Sequence, residues 1–327
     1  MKAMMIRRTG SPEVFEYAEV PTPEPGPGEV LVQVACAGVN PADWKNREGM
    51  LAAFRPYVFP CIIGFDAAGV VAALGEGVHG FELGEPVFTP TNHGQGGPGS
   101  YGEYTLSGAD RLARIPDGLS FAQAAALPVA ALTAWQGLFD RGGVGEGQQV
   151  LIHGGSGGVG SFAVQFAAWA GARVAATCST PNLEYLESLG VERAIDYREE
   201  DIGAAVSEWA PGGLDYLMDA VGTSTLPGAL EMVKSGGCLT SIPTLVDDGD
   251  IPAALEAAAA RGVRREFSTM VDSHCAATLE RIAGLLVAGE IQLPPLREYP
   301  LSEVAAVHET LQQGHNRGKL VLRVAEL

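Results

Sequence analysis

Positive charge is scarce in this chain. Its 21 lysines and arginines are outnumbered by 39 aspartates and glutamates, giving a net charge of -18. No run of Lys and Arg offsets that balance locally. Such a surface repels nucleic acid and anionic lipid, so neither is expected as a partner. Cysteine is sparse too. Cys36, Cys61, Cys178, Cys238 and Cys275 are widely spaced, with no Cys-x-x-Cys pair. That argues against a disulfide framework or a thiolate metal cluster and makes a reducing cytoplasm the expected setting. A long apolar run is also missing. Met1-Lys2-Ala3-Met4-Met5-Ile6 meets Arg7-Arg8 without the apolar core of a signal peptide. The most apolar stretch, Phe162 to Cys178, is broken by Gln165, Gly171 and Arg173 and is too short to span a bilayer. A water-soluble protein is expected.

What remains is the composition of a folded enzyme. With 46% hydrophobic and 18% charged residues over 327 positions, the chain suits two domains. The first part reads as β-rich. Glu29-Val30-Leu31-Val32-Gln33-Val34-Ala35 alternates as a strand should, after the Pro- and Gly-punctuated segment Pro21 to Gly28. Gly64 to Leu74 and Gly84 to Phe88 follow as further strands. The glycine-rich stretch His93 to Gly102 reads as a flexible loop, a place for a lid or pocket wall. After Pro116 the character changes. Ser120 caps an expected helix at 121–127, and a second helix follows Pro128. Beyond Gly147, strands expected at 150–153, 173–177, 193–197, 214–219 and 238–242 alternate with helices at 161–170, 182–189 and 225–233. That alternation builds a parallel sheet covered on both faces, an α/β fold. The tail holds a helix from about Ala276, a second at 301–312 and a closing strand at 319–324.

The strongest local signal is Val150-Leu151-Ile152-His153-Gly154-Gly155-Ser156-Gly157-Gly158-Val159-Gly160. Gly155, Gly157 and Gly160 satisfy G-x-G-x-x-G, with a buried strand entering and an apolar helix leaving. Glycine lets the chain turn sharply and lets a pyrophosphate approach the backbone, and the last glycine lets helix pack on strand. The helix start then offers free N–H groups and a partial positive charge. A dinucleotide is therefore expected on Gly155, Ser156, Gly157, Gly158, Val159 and Gly160.

The end of the next strand bears on which dinucleotide. An NAD site wants an Asp or Glu there for the ribose hydroxyls. Here the strand ends Ala176-Thr177-Cys178-Ser179-Thr180, with no acid until Glu184. Ser179 and Thr180 can donate to a 2′-phosphate, and Tyr197 and Arg198 end the following strand within expected reach. NADPH is the favoured cofactor. Ser179 and Thr180 also suit a simple cap on the following helix, and the two roles are compatible.

The arrangement resembles the medium-chain dehydrogenase/reductase superfamily from end to end. The resemblance is carried by Gly38-Val39-Asn40-Pro41-Ala42-Asp43-Trp44-Lys45, Gly64-Phe65-Asp66-Ala67-Ala68-Gly69-Val70-Val71, the glycine loop, Asp219-Ala220-Val221-Gly222 and Arg317-Gly318-Lys319-Leu320-Val321-Leu322. Within the superfamily it is most similar to the quinone and alkenal/enone oxidoreductases. The resemblance implies a Rossmann doubly wound sheet at 122–272 and a β-rich GroES-like catalytic domain at 1–121, rejoined by 273–327. It also implies nicotinamide-nucleotide contacts at Thr133, Val221, Gly222, Asn316, Gly318 and Lys319. Homodimerisation is implied through a sheet edge near Arg265–Val271, where Phe267, Met270 and Val271 alternate imperfectly.

Zinc members of the superfamily carry a ligand Cys where Asn40 stands and a His where Phe65 stands. An amide and a phenyl ring cannot replace a thiolate and an imidazole on Zn²⁺. Cys36 and His93 read as core packing and loop surface. No metal is expected, which suits hydride transfer to a conjugated carbonyl or quinone, whose oxygen needs only hydrogen-bond donors. By resemblance the substrate pocket lies in the cleft between domains and is lined by Asn40, Phe65 and Tyr101, with Lys45 and Asn40 the catalytic candidates. Asp43 reads as a structural cap. Relatives often place a Lys in the Ser-Thr-x-x stretch, and Asn182 and Leu183 occupy that neighbourhood here. A quinone oxidoreductase proper and a non-catalytic NADPH-binding sensor or scaffold are the alternatives.

Overall fold

The computed structural model describes residues 1–52, 57–91, 97–242, 251–268, 275–314 and 316–327. His93, Met270 and Val271, named above, lie outside the described residues. The chain divides into two compact units. One comprises Met1–Ala130, Asp272–Gly289 and Pro295–Leu327; the other comprises Ala131–Val271 and Glu290–Pro294.

The first unit is β-rich. Strands β1 (Lys2–Ile6) and β2 (Phe15–Glu19) form an antiparallel pair. The remaining strands are β3 (Glu29–Val39), β4 (Asp66–Leu74), β5 (Pro86–Pro90), β6 (Tyr104–Gly108), β7 (Ala113–Arg114), β14 (Leu296–Pro300) and β15 (Lys319–Arg323). They form a 7-stranded sheet ordered β14-β15-β3-β4-β5-β7, with β6 also on β3. Helix α1 (Pro41–Arg47) leaves β3 directly. Helix α2 (Phe121–Ala125) starts at Ser120, whose Oγ accepts the Gln123 N–H at 3.2 Å while Gln123 Oε1 accepts the Ser120 N–H at 2.9 Å. That reciprocal cap satisfies two donors the helix cannot. Helices α9 (Ala276–Val287) and α10 (Val304–Gln312) complete the unit. Past α2, the Val129 N–H donates to Asp66 Oδ1 at 2.9 Å within this unit, which runs to Ala130.

The second unit is a sheet of six parallel strands: β8 (Gln149–His153), β9 (Arg173–Cys178), β10 (Arg193–Asp196), β11 (Leu214–Asp219), β12 (Val233–Ser241) and β13 (Arg264–Phe267). Their order is β10-β9-β8-β11-β12-β13. In chain order the run proceeds outward from β8 to β10, then restarts on the other side of β8 with β11. The sheet is doubly wound, and its switch point lies between β8 and β11, where such sheets bind ligands beyond the strands' carboxyl ends. Helices α3 (Pro128–Trp135, which straddles the two units), α4 (Gly158–Trp169), α5 (Leu183–Ser188), α6 (Ile202–Trp209), α7 (Ala229–Met232) and α8 (Ile251–Ala260) supply the helical layers.

Two local expectations need correction. A helix over 225–233 is interrupted: a 3-10 turn at Thr223–Thr225 is followed by the short α7. Pro227 carries no N–H to continue a helix, and Gly228 sits at φ +76, outside the helical region. The stretch ending at Gly102 is no free flap where it is described. Tyr101 N–H donates to the Ile63 carbonyl at 3.1 Å, Ser100 N–H to Gly64 at 3.1 Å, and Met4 N–H to Tyr101 at 2.8 Å. These backbone bonds knit residues 97–102 into the first unit.

Candidate functional site

The carboxyl edge of the parallel sheet carries the glycine turn. β8 ends at His153, and Gly154 adopts φ +86, a conformation open to glycine and strained for other residues. The three glycines of the motif do different things. A Cβ on Gly155 would lie 2.8 Å from the Ala176 Cβ, so this position lets the turn pass close over β9. A Cβ on Gly160 would lie 2.1 Å from the Gly154 carbonyl oxygen, so it lets α4 press on the turn. A Cβ on Gly157 would meet only that same oxygen, at 3.5 Å, and would otherwise fill open space above the backbone. That open approach is what a phosphate group needs.

Helix α4 begins at Gly158, three residues before the expected start, with Gly157 as its N-cap. The first backbone bond of the helix joins Ser161 N–H to the Gly157 carbonyl at 2.9 Å. The amides of Gly158, Val159 and Gly160 therefore have no acceptor within the helix, and they sit at its positive end. Ser156 is half-buried beside them. This arrangement fits a dinucleotide pyrophosphate.

At the end of β9 the geometry is richer than the sequence pattern. Ser179 Oγ accepts from Asn182 Nδ2 at 3.1 Å, so Ser179 does brace the next turn. Thr180 is hydrogen-bonded to Asp196, and that bond, ahead of burial, sets the direction in which the Asp196 carboxyl moves: below the usual range. An acid therefore does stand beside Thr180. It comes from the tip of β10, paired in register with Cys178, and not from β9 itself. Tyr197, next along the chain, is exposed.

On the other side of the switch point, Asp219 Oδ1 accepts the N–H groups of Val221 and Gly222 at 3.0 and 2.8 Å. This fixes the loop that carries both residues; Val221 is exposed and Gly222 buried. Thr133 is 4% exposed, and its carbonyl accepts from Ser268 Oγ at 2.8 Å. One polar residue of the edge was not singled out by sequence. His153 Nδ1 lies 2.8 Å from Thr177 Oγ1 and its Nε2 lies 2.9 Å from Thr225 Oγ1. The signal was there, a histidine ending an apolar strand directly before the turn.

The first unit gathers the other candidates into a buried polar cluster. Asn40 N-caps α1, and its N–H donates to Asp43 Oδ2 at 2.7 Å. Asp43 Oδ1 accepts the Phe65 N–H at 3.1 Å, so this carboxylate joins β4's approach to α1 and is the cap that was expected. Burial and the neighbouring Asp66 carboxylate push Asp43 up to about 7. Asn40 is 3% exposed. Its Oδ1 accepts from Lys319 Nζ at 2.5 Å, and its Nδ2 donates to Asp66 Oδ2 at 2.8 Å. Lys319 Nζ also donates to the Val39 carbonyl at 3.2 Å and pairs with Asp66 at 3.6 Å. Burial pulls the Lys319 ammonium down and pushes the Asp66 carboxyl up, and each partner opposes the shift of the other.

Lys319 was expected at the cofactor. Here its ammonium braces β3 and β4. Gly318 lets β15 pass 2.0 Å, in Cβ terms, from the Pro295 carbonyl, and Asn316 Nδ2 donates to the Thr310 carbonyl at 3.0 Å. These three belong to the first unit and the glycine turn to the second. Lys45 is 8% exposed, its Nζ 5.6 Å from the Trp44 ring centroid, and burial lowers its affinity for a proton. Phe65 is buried.

Tyr101 requires a correction. It is fully buried in the first unit's core, so it cannot form a pocket wall. Its hydroxyl lies 3.0 Å from His308 Nε2, and His308 Nδ1 lies 3.3 Å from Arg47 Nη1. Arginine only donates, so Nδ1 accepts, Nε2 carries the ring proton, and Tyr101 accepts it. The Tyr101 hydroxyl in turn hydrogen-bonds Asp43. Burial, then the Arg47 charge, lowers His308 to about 3.

The two positions that the resemblance assigns to zinc ligands carry no such ligand. Neither Asn40 nor Phe65 offers a metal-binding group of the required kind. Among the described residues no three His, Cys, Asp or Glu side chains are grouped to hold an ion. Cys36 is buried within β3, where desolvation pushes its thiol up to about 11.

Known proteins share this architecture. A family profile described as an alcohol dehydrogenase GroES-like domain matches residues 26–117, and one described as zinc-binding dehydrogenase matches residues 158–283. The chloroplast envelope quinone oxidoreductase homolog of Arabidopsis thaliana is 32% identical over 324 residues, covering 94% of this chain and 93% of that protein. The chloroplastic NADPH-dependent alkenal/one oxidoreductase of the same plant is 32% identical over 331 residues, covering 98% and 79%. The solved structure of the quinone oxidoreductase from Coxiella burnetii superposes with a TM-score of 0.90 at 33% identity, covering 99% of both chains. With a GroES-like unit, a doubly wound sheet and relatives matching nearly end to end, the chain belongs to the medium-chain dehydrogenase/reductase superfamily.

Proposed function

We propose that this protein is an NADPH-dependent oxidoreductase that reduces a small conjugated carbonyl or a quinone without zinc. The observation that carries the reading is the turn at the switch point, where three unpartnered helix amides face an approach left open at Gly157. Relatives named as quinone and alkenal/one oxidoreductases support the reaction class, and the latter supports the cofactor. Bound NADPH supplies a hydride, a chemistry that needs no metal when the acceptor's oxygen can take charge onto hydrogen-bond donors.

The chain's own residues then have defined parts. Gly158, Val159 and Gly160 hold the pyrophosphate through backbone N–H groups. Ser179 and Tyr197 offer hydroxyls to the 2′-phosphate, while Thr180 is engaged by Asp196. Lys45 donates to the acceptor oxygen, and burial makes its proton easier to release. Asn40 positions Lys319 and Asp66 and retains one amide proton beyond these two contacts for the carbonyl. Two copies pairing along β13, the outermost strand of its sheet, belong to the same reading, and sedimentation would report it. A cytoplasmic setting is also part of the proposal. Among the described residues no helix is long and apolar enough to cross a membrane.

The deciding experiment follows NADPH and NADH oxidation across a panel of enones, alkenals and quinones, with and without chelator. NADPH consumption that survives chelation is expected. Activity lost with the chelator refutes zinc independence, and a preference for NADH refutes the cofactor. Tight NADPH binding with no turnover across the panel leaves a sensor or scaffold in its place.

A further inference from the structure

His153 ends β8 at the switch point, and its strand neighbours there are Thr177 of β9 by continuation of the register and Asp219 of β11. The ring is 3% exposed, and burial lowers its proton affinity against the pull of Asp219. Its two nitrogens are both within hydrogen-bond distance of threonine hydroxyls, and the direction of each bond can be worked out. Thr225 Oγ1 donates its single proton to the Gly222 carbonyl at 2.6 Å, because a carbonyl can only accept. Thr225 must therefore accept from His153, which puts the ring proton on Nε2. Nδ1 of the neutral ring is then an acceptor and takes the Thr177 hydroxyl proton. Thr177 Oγ1 in turn accepts the Gly154 N–H at 2.9 Å.

The outcome is one polarised chain: Gly154 N–H to Thr177, Thr177 to His153, His153 to Thr225, and Thr225 to the Gly222 carbonyl. Its first member opens the phosphate turn. Its last lies in the loop already fixed by Asp219 through the Val221 and Gly222 amides. The directions are mutually consistent; the Gly222 carbonyl also accepts the Thr225 N–H at 2.9 Å, so losing the Thr225 hydroxyl leaves the His153 Nε2–H, and not that carbonyl, without a partner at this edge.

We infer that His153 is a positioning residue for the nucleotide: it locks the glycine turn after β8 and the loop after β11 into one arrangement that matches the bound cofactor. The inference rests on the nucleotide lying on this turn. The Gly154 amide, held by Thr177, cannot swing toward the phosphates, and the Gly222 carbonyl, held by Thr225, cannot swing into their path. Cofactor binding finds both segments already set, so the ordering cost is met before binding.

Thr225→Val is the principal test, since Thr225 is exposed and its loss spares the core. In the unliganded protein this variant should raise amide hydrogen exchange in peptides spanning 150–160 as well as 219–226. NADPH titration by nicotinamide fluorescence should show about a fivefold weaker Kd, the worth of one neutral hydrogen bond, with kcat at saturating NADPH within about twofold of wild type. His153→Phe should weaken NADPH at least as much, and the double variant should be no weaker than His153→Phe alone. His153→Gln, which can still reach Thr225, should recover part of the loss. Unchanged exchange at 150–160 in Thr225→Val, or additive losses in the double variant, overturns the relay. A wild-type protein that binds no NADPH refutes the functional reading instead, and the exchange measurement on unliganded protein still decides the relay.

Discussion

Replacing His308 by Gln tests the buried Arg47–His308–Tyr101–Asp43 chain through its dependence on pH. Burial, and then the Arg47 guanidinium facing Nδ1, lower the native imidazole from an ordinary 6.5 to about 3. A base with a depressed native pKa is neutral in the folded state while the unfolded chain takes up a proton. Stability is therefore intact above about 6.5 and is lost as pH falls from there toward 3. Each unit below the unfolded value costs about 1.4 kcal/mol, so at pH 5 the native state should have lost about 2 kcal/mol to this one group. Gln cannot titrate. Denaturant unfolding of both proteins at pH 7.5 and pH 5 gives the comparison. The wild type's advantage over His308→Gln should shrink by about 2 kcal/mol between the two pH values. Asp43, raised to about 7, contributes a slope of the opposite sign in both proteins; the amide introduced by His308→Gln can still accept from Arg47 and donate to Tyr101, so the chain to Asp43 is kept and that slope cancels in the difference. An advantage that stays constant within about 0.5 kcal/mol would refute the burial argument for His308.

Lys319→Met should leave Asp66 buried with only the Asn40 amide and the Val129 N–H, at a cost of roughly 3–5 kcal/mol in denaturant unfolding. Adding Asp66→Asn should recover much of that loss, and a double variant no more stable than the single would sink the ion-pair account. At the phosphate turn, Gly160→Ala should lower both the unfolding midpoint and NADPH affinity, since its Cβ would meet the Gly154 oxygen at 2.1 Å. Gly157→Ala should cost at least tenfold in NADPH Kd, on the order of 1.4 kcal/mol, with little change in midpoint. Equal behaviour of the two variants in both assays would contradict the roles given to these glycines.

Local chemistry was readable from the residues alone. The Ser120 cap, the strand–turn–helix around Gly154–Gly160, and the alternation of strands and helices after Gly147 each depend on neighbours within a few positions. The same holds for Asp43, whose spacing three residues after Asn40 already spelled a cap. Errors arose where one residue overrode a local pattern, as Pro227-Gly228 did to the helix expected over 225–233. The other departure lies where backbone bonds from sequence-distant segments tie down a stretch that reads as free, as Met4 and Ile63 do to Tyr101.

By itself the sequence determined the class of fold, the place of the glycine turn between strand and helix and the absence of zinc-type ligands at positions 40 and 65, because these follow from residue type and short spacing. Only the tertiary structure decided what Lys319 does, that an acid from β10 stands beside Thr180, and that His153 joins two loops. Burial and hydrogen-bond direction depend on groups brought together from far apart in the chain. A lysine, an aspartate or a histidine carries no mark of the partner that will fix its charge or its proton until the strands have paired.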